Sequence, residues 1–349
     1  MDSLTQIALG SAVGVAVMGR RTAVWKAALW GAIGGTLPDL DAFIDHGDAI
    51  LNMTRHRAES HALFVLTLIA PALAWIASRV HGEAALFKRW WLALWLVLIT
   101  HPLLDTMTVY GTQLLQPFSD HPFGVGSMFI IDPAYTVPLI VGVVAALRMQ
   151  PPRGLRWNAA GLVLSTLYLA WSVGAQQQAT QVARASLQAQ GIAAEGLLVT
   201  PAPFNTVLWR LVAITPTQYL EGHHSLLDED GAIQWTVHER GADLIAQHRD
   251  DPYLARMARF THGFYSAASV DGRLYVTDLR MGQEPSYTFR FDLGTEAARA
   301  NGGHRPTQTG FRPDMATALP WLWRRMWGER LPSPLVPDGT PRLKATAPG

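Results

Sequence analysis

The first half of the chain consists of long apolar runs separated by short polar stretches. Runs of this length predict helices that lie in lipid or in a protein core. The first two runs are shorter than the roughly 20 residues that a full membrane crossing needs, so a half-inserted hairpin is an alternative for them. The pattern predicts about six membrane spans: Leu4–Gly19, Ala23–Leu37, Ala62–Ser78, Trp90–Leu104, Ala134–Leu147 and Leu155–Gly174.

Two pairs of glycines recur at a spacing of four residues in the first two runs. Gly10 and Gly14 lie in the first run, and Gly31 and Gly35 lie in the second. Small residues at this spacing let two helices approach closely in lipid. The alternative is that these glycines are only tolerated, because glycine is common in membrane helices.

After residue 175 the pattern changes to shorter runs that are typical of strands. The polar stretch 176–190 predicts a helix that extends the sixth apolar run, and Asp271-Gly272 predicts a hairpin turn between two strands. The strand-like runs are Thr206–Thr215, Gln218–Leu227, Gly263–Val270, Arg273–Leu279 and Tyr287–Leu293. We therefore predict a mainly α fold, with a polytopic helical membrane domain at 1–175, a small β-rich domain with a helical linker at 176–330, and a flexible tail at 331–349.

A tryptophan-rich stretch, PWLWRRMWG, stands near the end of the β-rich region. Trp321, Trp323 and Trp327 flank Arg324 and Arg325. This composition suits a helix at the level of the lipid headgroups. Packing of the same helix against the domain's own sheet is an equally good interpretation.

The composition of the chain limits its possible partners and metal ligands. Only 16% of the residues are charged, against about 25% in a typical soluble protein. The net charge is +1, so we expect no nucleic-acid partner. The chain has no cysteine, which excludes disulfides and thiolate metal sites. Any metal must therefore be bound by histidine and carboxylate ligands.

The basic residues predict an orientation. Lys and Arg concentrate in three of the five loops, between spans one and two, three and four, and five and six. The positive-inside rule places these loops in the cytoplasm. The loops 38–61 and 105–133 then lie outside, together with the β-rich domain.

Six ionisable residues gather on this predicted outer face. Carboxylates and imidazoles at membrane depth are costly, so their presence asks for a functional reason. His101 and Asp105 are four residues apart, which puts both on one helix face. Neutral imidazoles and carboxylates suit Zn²⁺, with Mn²⁺ or Fe²⁺ as alternatives, and six ligands exceed one tetrahedral zinc. We predict a metal site, most naturally with two metals, formed by Asp39, Asp41, His56, His61, His101 and Asp105.

Two neighbours of these residues are candidates for catalysis. Arg57 could bind an anionic substrate group such as phosphate. Glu59 could act as a general base, with a solvated loop carboxylate as the alternative.

The order of motifs resembles the inner-membrane metal-dependent hydrolase family named for YdjM and YbcI. The resemblance covers about residues 1–150 and rests on MDSLTQIALGSAVG, GTLPDLD, HRAESH, THPLLDTMTVYGTQLLQPFS and IIDP. These motifs are in turn similar to those of zinc-dependent phospholipase C and the P1-type nucleases, which are helical enzymes that cleave phosphoesters. The resemblance implies the same six metal ligands. This chain departs from the family pattern at Glu59-Ser60, at Ala62, and at Gln6, where some members have histidine.

These observations predict a multi-pass hydrolase of the bacterial inner membrane with an extracytoplasmic C-terminal domain. Metal-activated water would cleave a phosphoester or another ester of a lipid-like substrate. The bilayer is the expected partner. The alternatives are a metal or proton transporter, because intramembrane Asp and His also mark ion pathways, and a non-catalytic membrane scaffold.

Overall fold

A computed structural model of the protein describes residues 1–300, 304–310 and 315–332. All six predicted spans are helical over nearly their whole length. Their helices are α1 (Ser3–Met18), α2 (Val24–Thr36), α4 (Leu63–Val80), α5 (Phe87–Asp105), α6 (Pro133–Arg148) and α7 (Arg153–Ala189), with a short α3 (Ala49–Arg55) between the second and third. Three-residue to six-residue 3-10 helices connect them at Pro38–Phe43, Glu59–His61 and Ala84–Leu86. Most of the predicted tail, residues 333–349, lies outside the described residues.

Two of these helices are long and apolar enough to cross a membrane. They are α4 and α7, whereas α1 and α6 are apolar but shorter. The helical first half is therefore as predicted, and two of its helices could cross a membrane by their length and composition. Six crossings stay a prediction.

Helix starts follow from local chemistry. Asp2 caps α1 by accepting the backbone N–H of Thr5, and Asp132 caps α6 by accepting the N–H groups of Ala134 and Tyr135. Such a carboxylate satisfies N–H groups that the first helical turn leaves unpaired.

The four glycines of α1 and α2 lie at a close crossing, as the glycine spacing predicted. A Cβ atom built on Gly31 would lie 2.2 Å from the backbone oxygen of Gly10, and one on Gly35 would lie 2.5 Å from that of Gln6. No side chain fits at such distances. The crossing brings the C-terminal end of α2 to the N-terminal end of α1.

The described residues divide into two compact units. The first comprises Met1–Ile44 and Arg55–Ser172, and its core packs Met18, Leu66 and Trp90. The second comprises Asp45–Thr54 and the described part of Val173–Gly349. The segment 45–54 therefore belongs with the C-terminal residues, and the backbone N–H of Ala49 bonds the oxygen of Pro306.

The second unit is rich in antiparallel strands, as predicted. The strands are β1 (Gly196–Pro201), β2 (Leu208–Ile214), β3 (Gln218–Ser225), β4 (Thr236–Glu239), β5 (Tyr265–Val270), β6 (Arg273–Asp278), β7 (Gly282–Gln283), β8 (Ser286–Tyr287), β9 (Arg290–Thr295) and β10 (Thr307–Gln308); the helices are α8 (Ala242–Gln247), α9 (Pro252–Phe260), α10 (Glu296–Ala300) and α11 (Met315–Met326). One sheet has the order β1-β2-β3-β4 and another has β10-β9-β6-β5, with a two-stranded β7-β8 ribbon.

One hairpin turn and the packing of two helices show how the sequence forms the second unit. Val270 pairs with Arg273 across Asp271-Gly272, and both turn residues have positive φ, as a two-residue hairpin requires. Ala175 to Leu187 on the polar half of α7 pack with Trp209 and Trp235. Helix α11 carries the tryptophan-rich stretch: Trp321 is buried, while Trp323 and Trp327 are exposed.

Candidate metal centre

Three short elements of the first unit bring the candidate ligands together. Pro38 begins the 3-10 helix that carries Asp39 and Asp41, because a proline suits the first helical position and cannot continue α2. The 3-10 helix Glu59–His61 ends at His61. The last turn of α5 presents His101 and Asp105 on one face.

Four of the six predicted ligands converge. Potential ligand atoms of Asp39, His61, His101 and Asp105 all lie within 4.8 Å of one another. The His61 Nε2 atom lies 3.1 Å from His101 Nε2, 3.4 Å from Asp39 Oδ1 and 3.3 Å from Asp105 Oδ2. His101 Nε2 lies 3.5 Å from each of the same two oxygens. Three of the four side chains are fully buried, and that of Asp39 is 20% exposed.

These separations fit one tetrahedral ion. Zinc binds nitrogen and oxygen ligands at about 2.0–2.1 Å, which gives a tetrahedron with edges of about 3.3–3.4 Å. Five of the six edges here measure 3.1–3.5 Å. Asp105 Oδ2 is also buried without a hydrogen bond in the described part of the chain. The donor set therefore fits a divalent cation.

The tautomer of His101 is set by helix α2. Its Nδ1 atom lies 2.7 Å from the backbone oxygen of Gly35. A carbonyl oxygen only accepts, so Nδ1 must carry the proton and the Nε2 lone pair of the neutral ring points into the four-residue set. Gly35 owes its position to the close α1–α2 crossing, so the glycine motif contributes to the site.

Asp41 and His56 lie beside this set and pair with each other. His56 Nδ1 is 2.8 Å from Asp41 Oδ1. The other oxygen, Asp41 Oδ2, accepts the Ser60 hydroxyl at 2.5 Å and the backbone N–H of Arg57 at 2.9 Å. It lies 3.5 Å from His61 Nδ1. In this arrangement Asp41 orients His61 from behind, and Ser60, 2.8 Å from His61 Nδ1, assists.

Arg57 is buried against the ligands. Only 5% of the residue is exposed, and its Nε atom lies 3.3 Å from Asp105 Oδ2. Its guanidinium also donates to the Thr108 hydroxyl and lies over the Tyr110 ring. A positive φ of 65° holds this residue in the left-handed region, which costs free energy for a side chain of this kind. Its guanidinium charge balances Asp105 in the ion-free site.

The remaining oxygen of Asp105 is held from α1. Asp105 Oδ1 accepts the Gln6 side-chain amide at 3.0 Å and is in contact with the Met1 amino group. The Gln6 amide also reaches the backbone oxygen of His101. Gln6 therefore acts through Asp105 and His101 in this geometry.

Charge in the site is dominated by its carboxylates. Burial lowers the pKa of the His61 imidazole, but the neighbouring carboxylates of Asp105, Asp39 and Asp41 outweigh that effect and raise the pKa to about 9. Burial raises the pKa of Asp39, but the neighbouring imidazoles of His101 and His61 outweigh that effect and hold the pKa well below its usual range. Without a metal the site thus holds a proton on His61, which a bound cation would replace.

The sequence predicted the ligand candidates but not the groups that orient them. Glu59 is exposed at the first position of the 3-10 helix that ends at His61. The roles of Ser60 and the Gly35 carbonyl had not been predicted. The position of Ser60 next to His61 was the one local signal, whereas a backbone carbonyl leaves no mark in a sequence.

Comparison with known proteins places the site within a described family. The model of the YdjM inner membrane protein family matches residues 1–179, which include all six candidate ligands. The uncharacterized protein YfhP of Bacillus subtilis (strain 168) is 23% identical over 242 residues, or 65% of this chain and 71% of that protein. No solved structure matches the chain.

Proposed function

The chain belongs to the YdjM inner membrane protein family, and we propose that it is a metal-dependent hydrolase of the bacterial inner membrane. Its substrate would carry a phosphoester or another ester bond and would be lipid-like. The centre would lie on the extracytoplasmic face, as the distribution of basic loop residues predicts.

One observation carries this proposal. Two imidazole nitrogens and two carboxylate oxygens of the first unit converge within 4.8 Å, and five of their six separations are 3.1–3.5 Å. Such a set of acceptors is unfavourable without a positive charge among them. Arg57 and a proton on His61 supply part of that charge, and a divalent cation would supply it with better geometry.

The chain's own residues would bind and orient the ion. Asp39, His61, His101 and Asp105 would hold it, while Asp41 and the Gly35 carbonyl fix the two imidazole rings. A bound divalent cation would supply Lewis-acid chemistry, polarising the ester and lowering the pKa of water.

Two groups near the centre can move a proton. His56 is one: its side chain is 25% exposed, and Asp41 holds its Nδ1 proton, which leaves Nε2 as the basic nitrogen. Glu59, which is exposed, is the other. Arg57 would place positive charge beside any anionic substrate group that reaches the ion. If one of the two groups is the base, replacing it with glutamine lowers kcat while metal content stays unchanged.

The first test is metal content. We would purify the full chain in detergent without chelator and measure bound metal by mass spectrometry. The His61→Ala/Asp105→Ala variant should lose the metal. An Asp120→Ala/His121→Ala variant changes the same residue types in an exposed loop and should keep it.

The second test is activity of the metal-loaded protein on phosphoester and carboxylic ester lipids. Metal that is present and lost in the ligand variant, together with hydrolysis lost in parallel, is the expected result. A folded wild type without bound metal would refute the proposal and favour the scaffold. Metal that is bound without hydrolysis, but transported into vesicles, would favour the transporter.

A further inference from the structure

A set of exposed apolar side chains lies on the elements that carry the metal ligands or that directly follow them in the chain. We call it the apolar rim. It consists of Leu40, Phe43, Ile44, Phe64, Leu115 and Phe118, all of which belong to the first unit. Phe43 and Phe118 are 87% and 78% exposed, and both lie in connecting segments outside the long helices.

The first part of the rim is close to the centre because one 3-10 helix carries residues of both. Asp39 and Asp41 alternate with Leu40 and Phe43 along one 3-10 helix, whose rise is about 2.0 Å per residue. Phe43 therefore begins about 8 Å along the axis from Asp39. The two aspartates of this helix lie against His61, whereas Leu40 and Phe43 are 54% and 87% exposed.

The loop after α5 completes the rim on the His61 side. The backbone N–H of Gln113 bonds the oxygen of Arg57, and the N–H of Leu63 bonds the oxygen of Leu114. These two bonds fasten the loop along the stretch that contains His61. Beyond them the Phe118 ring packs edge-on against Phe64, with centroids 5.5 Å apart.

The rim continues the exposed face of a candidate membrane helix. Phe64 opens α4, and Leu68 and Trp75 follow on exposed positions of that helix. Phe118 extends this apolar surface past the helix end. A surface that is continuous with a lipid-facing helix and ends in exposed phenylalanines fits the boundary between headgroups and acyl chains.

We infer that the apolar rim inserts into the acyl boundary of the bilayer and admits the acyl-chain end of a lipid to the metal centre. The insertion stands on the rim alone, whereas the admission of a lipid substrate rests on the proposed function. The occupant is membrane lipid. A second protein molecule on the same surface is an outcome that the test can recognise.

The absence of cysteine makes a direct test simple. Phe43→Cys and Phe118→Cys each give one thiol for a nitroxide label in the full chain. Asp250→Cys is the matched aqueous reference, because that side chain is 94% exposed in the second unit. The labelled proteins are placed in nanodiscs of phosphatidylethanolamine and phosphatidylglycerol.

Collision with oxygen and with a soluble nickel chelate then reports the surroundings. Both rim labels should collide strongly with oxygen and weakly with nickel, and the reference should show the reverse. If the rim labels collide with the nickel chelate as often as the reference label does, the rim is exposed to water and the insertion is refuted. Labels closed to both reagents would overturn it in favour of a protein partner.

Lipid admission needs a second measurement. A Phe43→Ser/Phe118→Ser variant should keep its bound metal and its hydrolysis of dihexanoyl phosphatidylglycerol below its micelle concentration. It should lose about tenfold in hydrolysis of dioleoyl phosphatidylglycerol vesicles. Equal rates on vesicles would refute admission through the rim. A wild type that hydrolyses neither lipid would count against this headgroup and the proposed function, while the labelling result would stand.

Discussion

Replacing Asp41 with asparagine separates the two interpretations of the metal centre. The sequence predicts Asp41 as a ligand of a two-metal site, whereas the structure places it behind His61. Both oxygens of Asp41 are engaged: one with His56 at 2.8 Å, the other with Ser60 at 2.5 Å and the Arg57 N–H at 2.9 Å. An amide can keep only one acceptor oxygen, so at least one of these contacts is lost.

The expected magnitude follows from that geometry. Asp41 Oδ2 is 3.5 Å from His61 Nδ1, on the side of the ring opposite the four-residue set. Removing a carboxylate that orients a metal-binding histidine typically lowers the affinity for the metal by about 10-fold to 100-fold. This corresponds to about 1.4–2.8 kcal/mol of binding free energy. A residue of the set itself, such as Asp39, should cost more.

The assay is a competition titration of the purified full chain against a chelator of known affinity, with metal stoichiometry measured in parallel. Asp41→Asn should bind the same number of ions as wild type with a Kd raised 10-fold to 100-fold. Asp45→Asn makes the same chemical change at an exposed loop carboxylate and should leave the Kd unchanged.

Two results would refute this reasoning. An unchanged Kd in Asp41→Asn would show that the carboxylate does not support His61. A fall in stoichiometry from two ions to one would show that Asp41 binds a second ion directly, as the six-ligand prediction has it.

Three further predictions concern packing, charge and pH. Gly31→Ala places a Cβ atom 2.2 Å from a backbone oxygen of the facing helix, so it should destabilise the protein by about 1–3 kcal/mol in thermal unfolding; Gly174→Ala, which meets no atom within 4 Å, is the control and should not lower stability. Arg57→Gln removes the guanidinium charge beside Asp105 Oδ2, so the gap in Tm between metal-loaded and chelated protein should widen relative to wild type, and an unchanged gap would contradict the pairing. Burial lowers the pKa of His223 in the second unit to about 4, so the unfolded chain binds more protons than the folded one between pH 6.5 and 4 and stability should fall as the pH falls through that range. The loss should reach about 2 kcal/mol at pH 5, measured by thermal unfolding, and His223→Asn should flatten this slope.

Much of the local structure could be predicted from the sequence. Apolar runs gave the six helices of the first half, and Asp271-Gly272 gave a hairpin, because both depend on contacts between near neighbours. The four-residue spacing of His101 and Asp105 placed them on one face for the same reason. The strands β1 and β4 were not predicted. Their residues form strands because they pair with β2 and β3, and this pairing is not visible in the local sequence pattern.

The tertiary structure alone decided which candidates converge. Asp39 and Asp41 are equivalent in sequence, two residues apart after one proline, yet only Asp39 lies in the converging set. A 3-10 helix turns by about 120° per residue, so neighbouring side chains point in different directions, and the packing of the helix selects one of them. The sequence by itself determined that carboxylates and imidazoles meet at the ends of apolar helices. Which atoms meet depends on the α1–α2 crossing and on the turn before His61, because these set distances between segments that are far apart in the chain.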